Sequence, residues 1–225
     1  MITKLILLIS FLAVIPTAVD ASPIAVLNKT LALYTENELD GLPIRACPLN
    51  NVSFPVNNSS VMFDLPSPDL SLKYVALGRG TQNYTCSNAN STDAPSAIGA
   101  VATLFDASCL AAFLPDILND IPPVLLQVPR DAAVAAAMAL DQLTSAENGS
   151  FVLAQHYFVD KTTPLFDFRP YGHPDWMEAE IWQSAAAPPD SIPGSVPWLK
   201  LGYKAGSGIY VSDSRITVVP KLLVY

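Results

Sequence analysis

The sequence predicts a mainly β fold: an antiparallel sandwich or barrel with a helical insertion at about residues 107–147. Three observations lead there. Short runs rich in Val, Ile, Thr and aromatic residues recur along the chain, separated by Gly, Pro and Asn. Their order is two strands, two helices and then a series of strands, with no βαβ alternation and no internal repeat. Proline occurs 20 times in 225 residues, roughly twice its usual share, which favours short elements joined by stiff loops.

The first 21 residues read as a signal peptide. Lys4 supplies the positive start, Leu5 to Ile15 the apolar core, and Val19-Asp20-Ala21 a cleavage site after Ala21. The apolar run is about half the ~20 residues that a spanning helix needs, and Pro16 follows it. Residues 22–225 are then one secreted β-rich domain. Residues 22–68 are expected to form an arm, with a strand or short helix at Ile24–Tyr34 and an extended, glycosylated remainder over the core.

The most patterned run is Leu72–Cys86, LKYVALGRGTQNYTC, read as the central strand with two later segments pairing to it. Gly78 and Gly80 flank Arg79, and two glycines so placed suggest a bulge. Ser87–Pro95 is a polar loop, and Ile98–Phe105 a second strand, apolar on both faces and therefore interior. Asp106 reads as an N-cap. Behind it Leu110, Phe113, Leu114, Ile117 and Leu118 share one helix face. Pro115 cuts that stripe into two short helices or kinks a single one, and Pro122-Pro123 should end it. A second helix is expected over Asp131–Glu147, stopped by Asn148-Gly149. Strands are then expected at Phe151–Val159, Leu165–Phe168, Ile181–Ala186, Val196–Tyr203 and Gly208–Val219.

Charge and composition narrow the partners. The formal net charge is −8, which disfavours nucleic acid. No later run reaches the length of a membrane span, so no membrane contact is expected after signal cleavage. Seven asparagines stand in Asn-x-Ser/Thr: Asn28, Asn51, Asn57, Asn58, Asn83, Asn90 and Asn148. Charged residues are only 14% of the chain, against about 25% in ordinary domains, so glycans are expected to aid solubility. A polysaccharide or a small molecule is the expected partner; oligomeric state is not legible.

Motifs for chemistry are sparse. There is no HExxH, GxSxG, P-loop or CxxC spacing, and Gly78-x-Gly80 lacks the third glycine of a dinucleotide fingerprint. No cofactor and no metal site are expected. The ligand-binding candidates are Arg79, Asp106, His156 and Tyr157. His156 with Asp106 or Asp160 would make an acid/base pair for a hydrolase, but no serine nucleophile accompanies it. The competing reading has His156 bonded to a backbone group inside the fold, and Arg79 solvated on its bulge. His173-Pro174-Asp175-Trp176 reads as a turn. Trp176, Trp182 and Trp198 offer a sugar-stacking face, although Trp198 lies in an apolar run that suits the core. A non-enzymatic binding module is the favoured reading, with an enzyme as the alternative.

Three cysteines leave one unpaired. Cys86 ends the first strand and Cys109 follows the second, so a Cys86–Cys109 bridge is expected, worth about 3 kcal/mol in the loop-entropy model. Cys47 is then the free thiol.

Leu72–Cys86, Ala97–Leu110 (AIGAVATLFDASCL), His156-Tyr157-Phe158 and Val196–Leu201 (VPWLKL), in that order, resemble the secreted fungal family called domain of unknown function 3455. The resemblance runs from about Cys47 to Arg215. It implies a secreted, extracellular or wall-associated protein without assigned catalytic residues. Members often carry a malate dehydrogenase label, but no His/Asp/Arg hydride-transfer set can be placed on this chain. Members also continue past the arginine matching Arg215 with Thr-Ala-Gly-Gly and a further cysteine. Here the chain reads Ile216-Thr217-Val218-Val219-Pro220, and an altered C-terminus is expected to explain the odd cysteine.

Overall fold

The computed structural model describes residues 22–52, 72–86, 96–144, 150–186 and 196–207. Six strands form one antiparallel sheet in sequence order: β1 (Ala76–Thr85), β2 (Ser96–Asp106), β3 (Val152–Phe158), β4 (Pro164–Asp167), β5 (Trp176–Ala185) and β6 (Trp198–Ser207). The mainly β antiparallel class with a helical insertion therefore holds, and the sheet is open. Gly208–Val219, expected as a last strand, lies outside the described residues.

A meander sets each strand beside its sequence neighbours, so the first strand has one partner. This corrects the expectation that Leu72–Cys86 is central: among the described residues β1 is at the edge and pairs with β2 alone. The expected bulge at Gly78-Arg79-Gly80 is also absent, because those residues pair regularly with Leu104, Thr103 and Ala102. The irregularity falls at Asn83/Tyr84, opposite Gly99 and Ala97, where Ile98 is the extra residue. Gly80 serves close approach instead. A Cβ there would sit 2.0 Å from the Val101 carbonyl oxygen.

Pairing across the sheet fixes two faces. Gly80, Ala102, His156, Phe166, Met177 and Gly206 form one row. The core gathers on that side, with Ala154, Phe166, Phe168, Met177, Ala179 and Leu201 all buried. The neighbouring row, Arg79, Thr103, Gln155, Asp167, Trp176 and Ser207, points the other way.

The helices occupy that second face at the β1–β2 end. The insertion gives α3 (Ser108–Phe113), α4 (Pro115–Leu126) and α5 (Arg130–Leu143), while α1 (Pro23–Leu31) and α2 (Glu36–Asp40) precede the sheet. Pro115 resolves the expected kink or break into a break, opening α4 at a position where its missing N–H costs nothing. Pro122 and Pro123 do not end the segment: α4 runs through both to Leu126, forgoing two backbone donors inside a helix that packs against α1.

The strand or short helix expected at Ile24–Tyr34 is the helix α1, while the remainder, expected to be extended, begins with the short helix α2. The arm docks on the insertion at three points. Thr30 donates to Asp120. Arg45 pairs with Asp141 at 2.6 Å and lies 4.2 Å from the Phe151 ring centroid. Cys47 is bonded to Cys109, with Cα atoms 5.0 Å apart.

The disulfide corrects the expected Cys86–Cys109 bridge, and the free cysteine is Cys86, not Cys47. The reason is strand direction. In the β1–β2 pair Thr85 faces Ser96 and Ala76 faces Asp106. Cys86 thus lies at the start of β2 and Cys109 beyond its end, roughly 30 Å apart at ~3.3 Å per residue.

Candidate functional site

Arg79 is engaged at a helix end. It extends from β1 under α4, where its Nε donates to the Val128 carbonyl at 3.0 Å and its Nη2 to the Leu126 carbonyl at 3.3 Å. Leu126 is the last residue of α4, whose final carbonyls lack helical partners and carry the negative end of the helix dipole. The guanidinium is therefore a C-terminal cap, not a solvated side chain on a bulge.

Asp106 also serves a helix. Its Oδ1 accepts the Ser108 N–H at 2.8 Å, so it caps the first turn of α3 although the backbone cap position is Ala107. His156 is buried in the core row, and its Nδ1 donates to the Leu165 carbonyl at 3.0 Å. A carbonyl only accepts, so the proton is on Nδ1. The ring stacks on Phe166 at 4.5 Å between centroids and meets Phe158 edge-on. Burial pushes the imidazole below its ordinary pKa, opposed by the bond to Leu165. Tyr157 is half-buried on the opposite face, between Val101 and Leu165.

These four residues do not converge. Arg79 and His156 point to opposite faces, and Asp106 lies four positions along β2 from Ala102, the partner of His156, about 13 Å away. Asp160 is no base for His156 either. It closes the β3–β4 turn by accepting from the Thr162 and Thr163 N–H groups at 2.7 and 2.8 Å, and these bonds hold its carboxyl down at about 2. Of the seven sequons, Asn28, Asn51 and Asn83 are exposed, and Asn57, Asn58, Asn90 and Asn148 lie outside the described residues.

Sequence reasoning missed a cluster where the entry to β1 meets the entry to β5. The Tyr74 hydroxyl donates to Asp175 Oδ2, and Lys73 Nζ lies 2.5 Å from the same oxygen. Asp175 is fully buried, and its Oδ1 has no hydrogen-bond partner among the described residues. Tyr74 stacks on Phe168 at 4.6 Å with His173 edge-on at 5.5 Å. Burial, then the Asp175 carboxylate, raise the phenol well above its ordinary range. Tyr74 therefore keeps its proton and acts as a fixed donor. Nothing local flags this cluster, because Tyr74 and Asp175 are 101 positions apart.

A second feature lies on the helix-bearing face of β5. Trp176, Glu178, Glu180 and Trp182 stand there in alternation, opposite Ser207, Ala205 and Gly202 of β6. Trp182 is the extra residue of a bulge between Ile181 and Gln183. Of the three tryptophans, Trp198 is buried, so it takes no part in a surface.

A match to the family described as protein of unknown function DUF3455 covers residues 66–219. The chain belongs to that family. No curated protein and no solved structure matches it. Among the described residues no helix is long and apolar enough to cross a membrane, and no three His, Cys, Asp or Glu side chains group to hold a metal ion.

Proposed function

We propose that this member of the family is a secreted, extracellular or wall-associated glycoprotein that binds a polysaccharide or small ligand and catalyses no reaction. The observation that carries the reading is the use of the sequence-legible polar candidates. Arg79 caps α4, Asp106 caps α3, and His156 is bonded and stacked in the core. A hydrolase centred on His156 would need that imidazole facing a substrate, and a malate dehydrogenase would need a hydride-transfer set. Neither arrangement forms among the described residues.

Export is supported by the Lys4, Leu5–Ile15, Val19-Asp20-Ala21 order, by the disulfide, and by exposed Asn28, Asn51 and Asn83. The test is expression in a secreting host, N-terminal sequencing of the medium protein, and an activity screen on that material. The expected result is a chain starting at Ser22, no release of reducing sugar or ester products, and no malate-dependent NAD reduction. Turnover abolished by His156→Gln, or an intact Met1 in the cytosol, would overturn the proposal.

A further inference from the structure

The stripe on β5 has the form of a binding platform. Trp176, Glu178, Glu180 and Trp182 alternate along the strand, so two indoles bracket two carboxylates on one face. The stripe spans about 20 Å at ~3.3 Å per residue. Across it on β6 stand Ser207, Ala205 and Gly202, and Lys204 of the same strand donates to Thr163, the residue before β4, at 2.6 Å.

The Trp182 end is built with care. A Cβ on Gly202 would lie 1.6 Å from Trp182 Cε2, so the indole rests on the glycine and no other residue fits beneath it. The indole N–H donates to Glu180 Oε1 at 3.0 Å, which fixes the plane of the ring. The ring is still 36% exposed. At the other end the Arg169 guanidinium lies 5.1 Å from the Trp176 ring centroid and is itself held by Asp167 at 2.7 Å.

We propose that this stripe binds a linear neutral polysaccharide lying along β5, with a pyranose ring stacked on Trp182 and hydroxyls donating to Glu178 and Glu180. An exposed indole face offers apolar area to the C–H face of a sugar at low entropic cost. An ionised carboxylate only accepts hydrogen bonds, and a polyol supplies donors. A cationic headgroup would call for several rings around one point, whereas the two indoles here stand at opposite ends of the stripe. An anionic polymer would meet the two carboxylates with like charge. The length of the platform fits several sugar units better than one.

This inference deepens the binding-module reading and rests on it. The test is affinity electrophoresis and pull-down of the whole secreted protein against β-1,3-glucan, cellulose, chitin and mannan. Wild type is expected to bind at least one. Trp182→Ala should weaken that binding at least about tenfold, and Gly202→Ala, which displaces the ring without removing it, should do the same. Trp182→Phe should retain part of the binding, which keeps the test decisive if the glycine variant fails to fold. Wild type that binds none of the four overturns this inference and the polysaccharide reading together. Wild-type binding that is unchanged in Trp182→Ala overturns the platform alone and leaves a binding module with its site elsewhere.

Discussion

Removing Cys47 is the sharpest test of how the arm is held. The bridge to Cys109 closes 62 positions, which in the loop-entropy model corresponds to about 4 kcal/mol taken from the unfolded chain. That loop contains β1 and β2, so the crosslink joins the arm to the insertion across the first hairpin. Bridges often deliver less than the model value, so Cys47→Ala should cost about 2–4 kcal/mol. For a chain of this size each kcal/mol lowers Tm by about 2–4 °C, giving a fall of roughly 4–16 °C. Cys86→Ala is the internal control. It removes an exposed, unbonded thiol and should change stability by no more than about 0.5 kcal/mol. Thermal scans of both variants, with alkylation mapping of unreduced wild type, separate the possibilities. Cys86 should alkylate freely, and the Cys47 and Cys109 peptides should migrate together until reduced. An equal loss in both variants, or a protected Cys86 beside an alkylated Cys47, would refute the pairing and the docking of the arm.

Two further predictions concern buried polar groups. Asp175→Ala leaves the Tyr74 hydroxyl and the half-exposed Lys73 without their shared acceptor, and should cost about 2 kcal/mol, below the 3–5 of a fully buried pair; a neutral or stabilising result in urea titration would show that the contact contributes nothing. His156 has a folded pKa below its unfolded value near 6.5, so the unfolded chain binds the extra proton. Stability is then present above about pH 6.5 and declines as pH falls toward the folded value. The variant His156→Leu should flatten this slope between pH 5 and 7, and an unchanged slope in denaturant midpoints would remove His156 as its source.

The fold was legible where the signal was local. The β3 and β4 runs, the break at Pro115 and the start of the strand series after residue 150 fall within a few residues of their expected places. Where two local rules competed, the stronger context won. Gly78 and Gly80 suggested a bulge, but the close crossing of β1 and β2 at Gly80 accounts for one of them without any irregularity. Pro122-Pro123 suggested a stop, but packing against α1 carries α4 through them. One local signal was present and overlooked. Thr35-x-x-Glu38 forms a capping box, with Thr35 N donating to Glu38 at 2.7 Å and Glu38 N to Thr35 at 3.3 Å.

The disulfide and the candidate site show why the remainder was not legible. Knowing that β1 and β2 are neighbours does not say which ends meet. Once the polar loop Ser87–Pro95 is taken as a hairpin return, antiparallel geometry separates Cys86 from Cys109, and the expected bridge contradicts the expected loop. Arg79, Asp106 and His156 stand in the sequence as ligand-binding candidates, although Asp106 also reads as an N-cap and His156 as bonded to a backbone group, and it is these second readings that the structure shows. What a sequence cannot state is whether such a group faces solvent or the backbone, and here the Leu126 and Val128 carbonyls accept from Arg79, Asp106 accepts from the Ser108 N–H and the Leu165 carbonyl accepts from His156. The β5 stripe differs in kind. Trp-x-Glu-x-Glu-x-Trp at 176–182 is a period-2 pattern readable without coordinates, once that stretch is recognised as strand from Trp176 and not from Ile181. The five-residue error in that boundary leaves three of its four members, Trp176, Glu178 and Glu180, outside the expected strand, and the first of them reads as the end of a turn. Asp175 sits at that junction, fully buried, and its bonds to Lys73 and Tyr74 link the entry to β5 to the approach to β1. The same few residues that blurred the strand boundary therefore tie the entry of β5 to the entry of β1, and only three-dimensional contact reveals it.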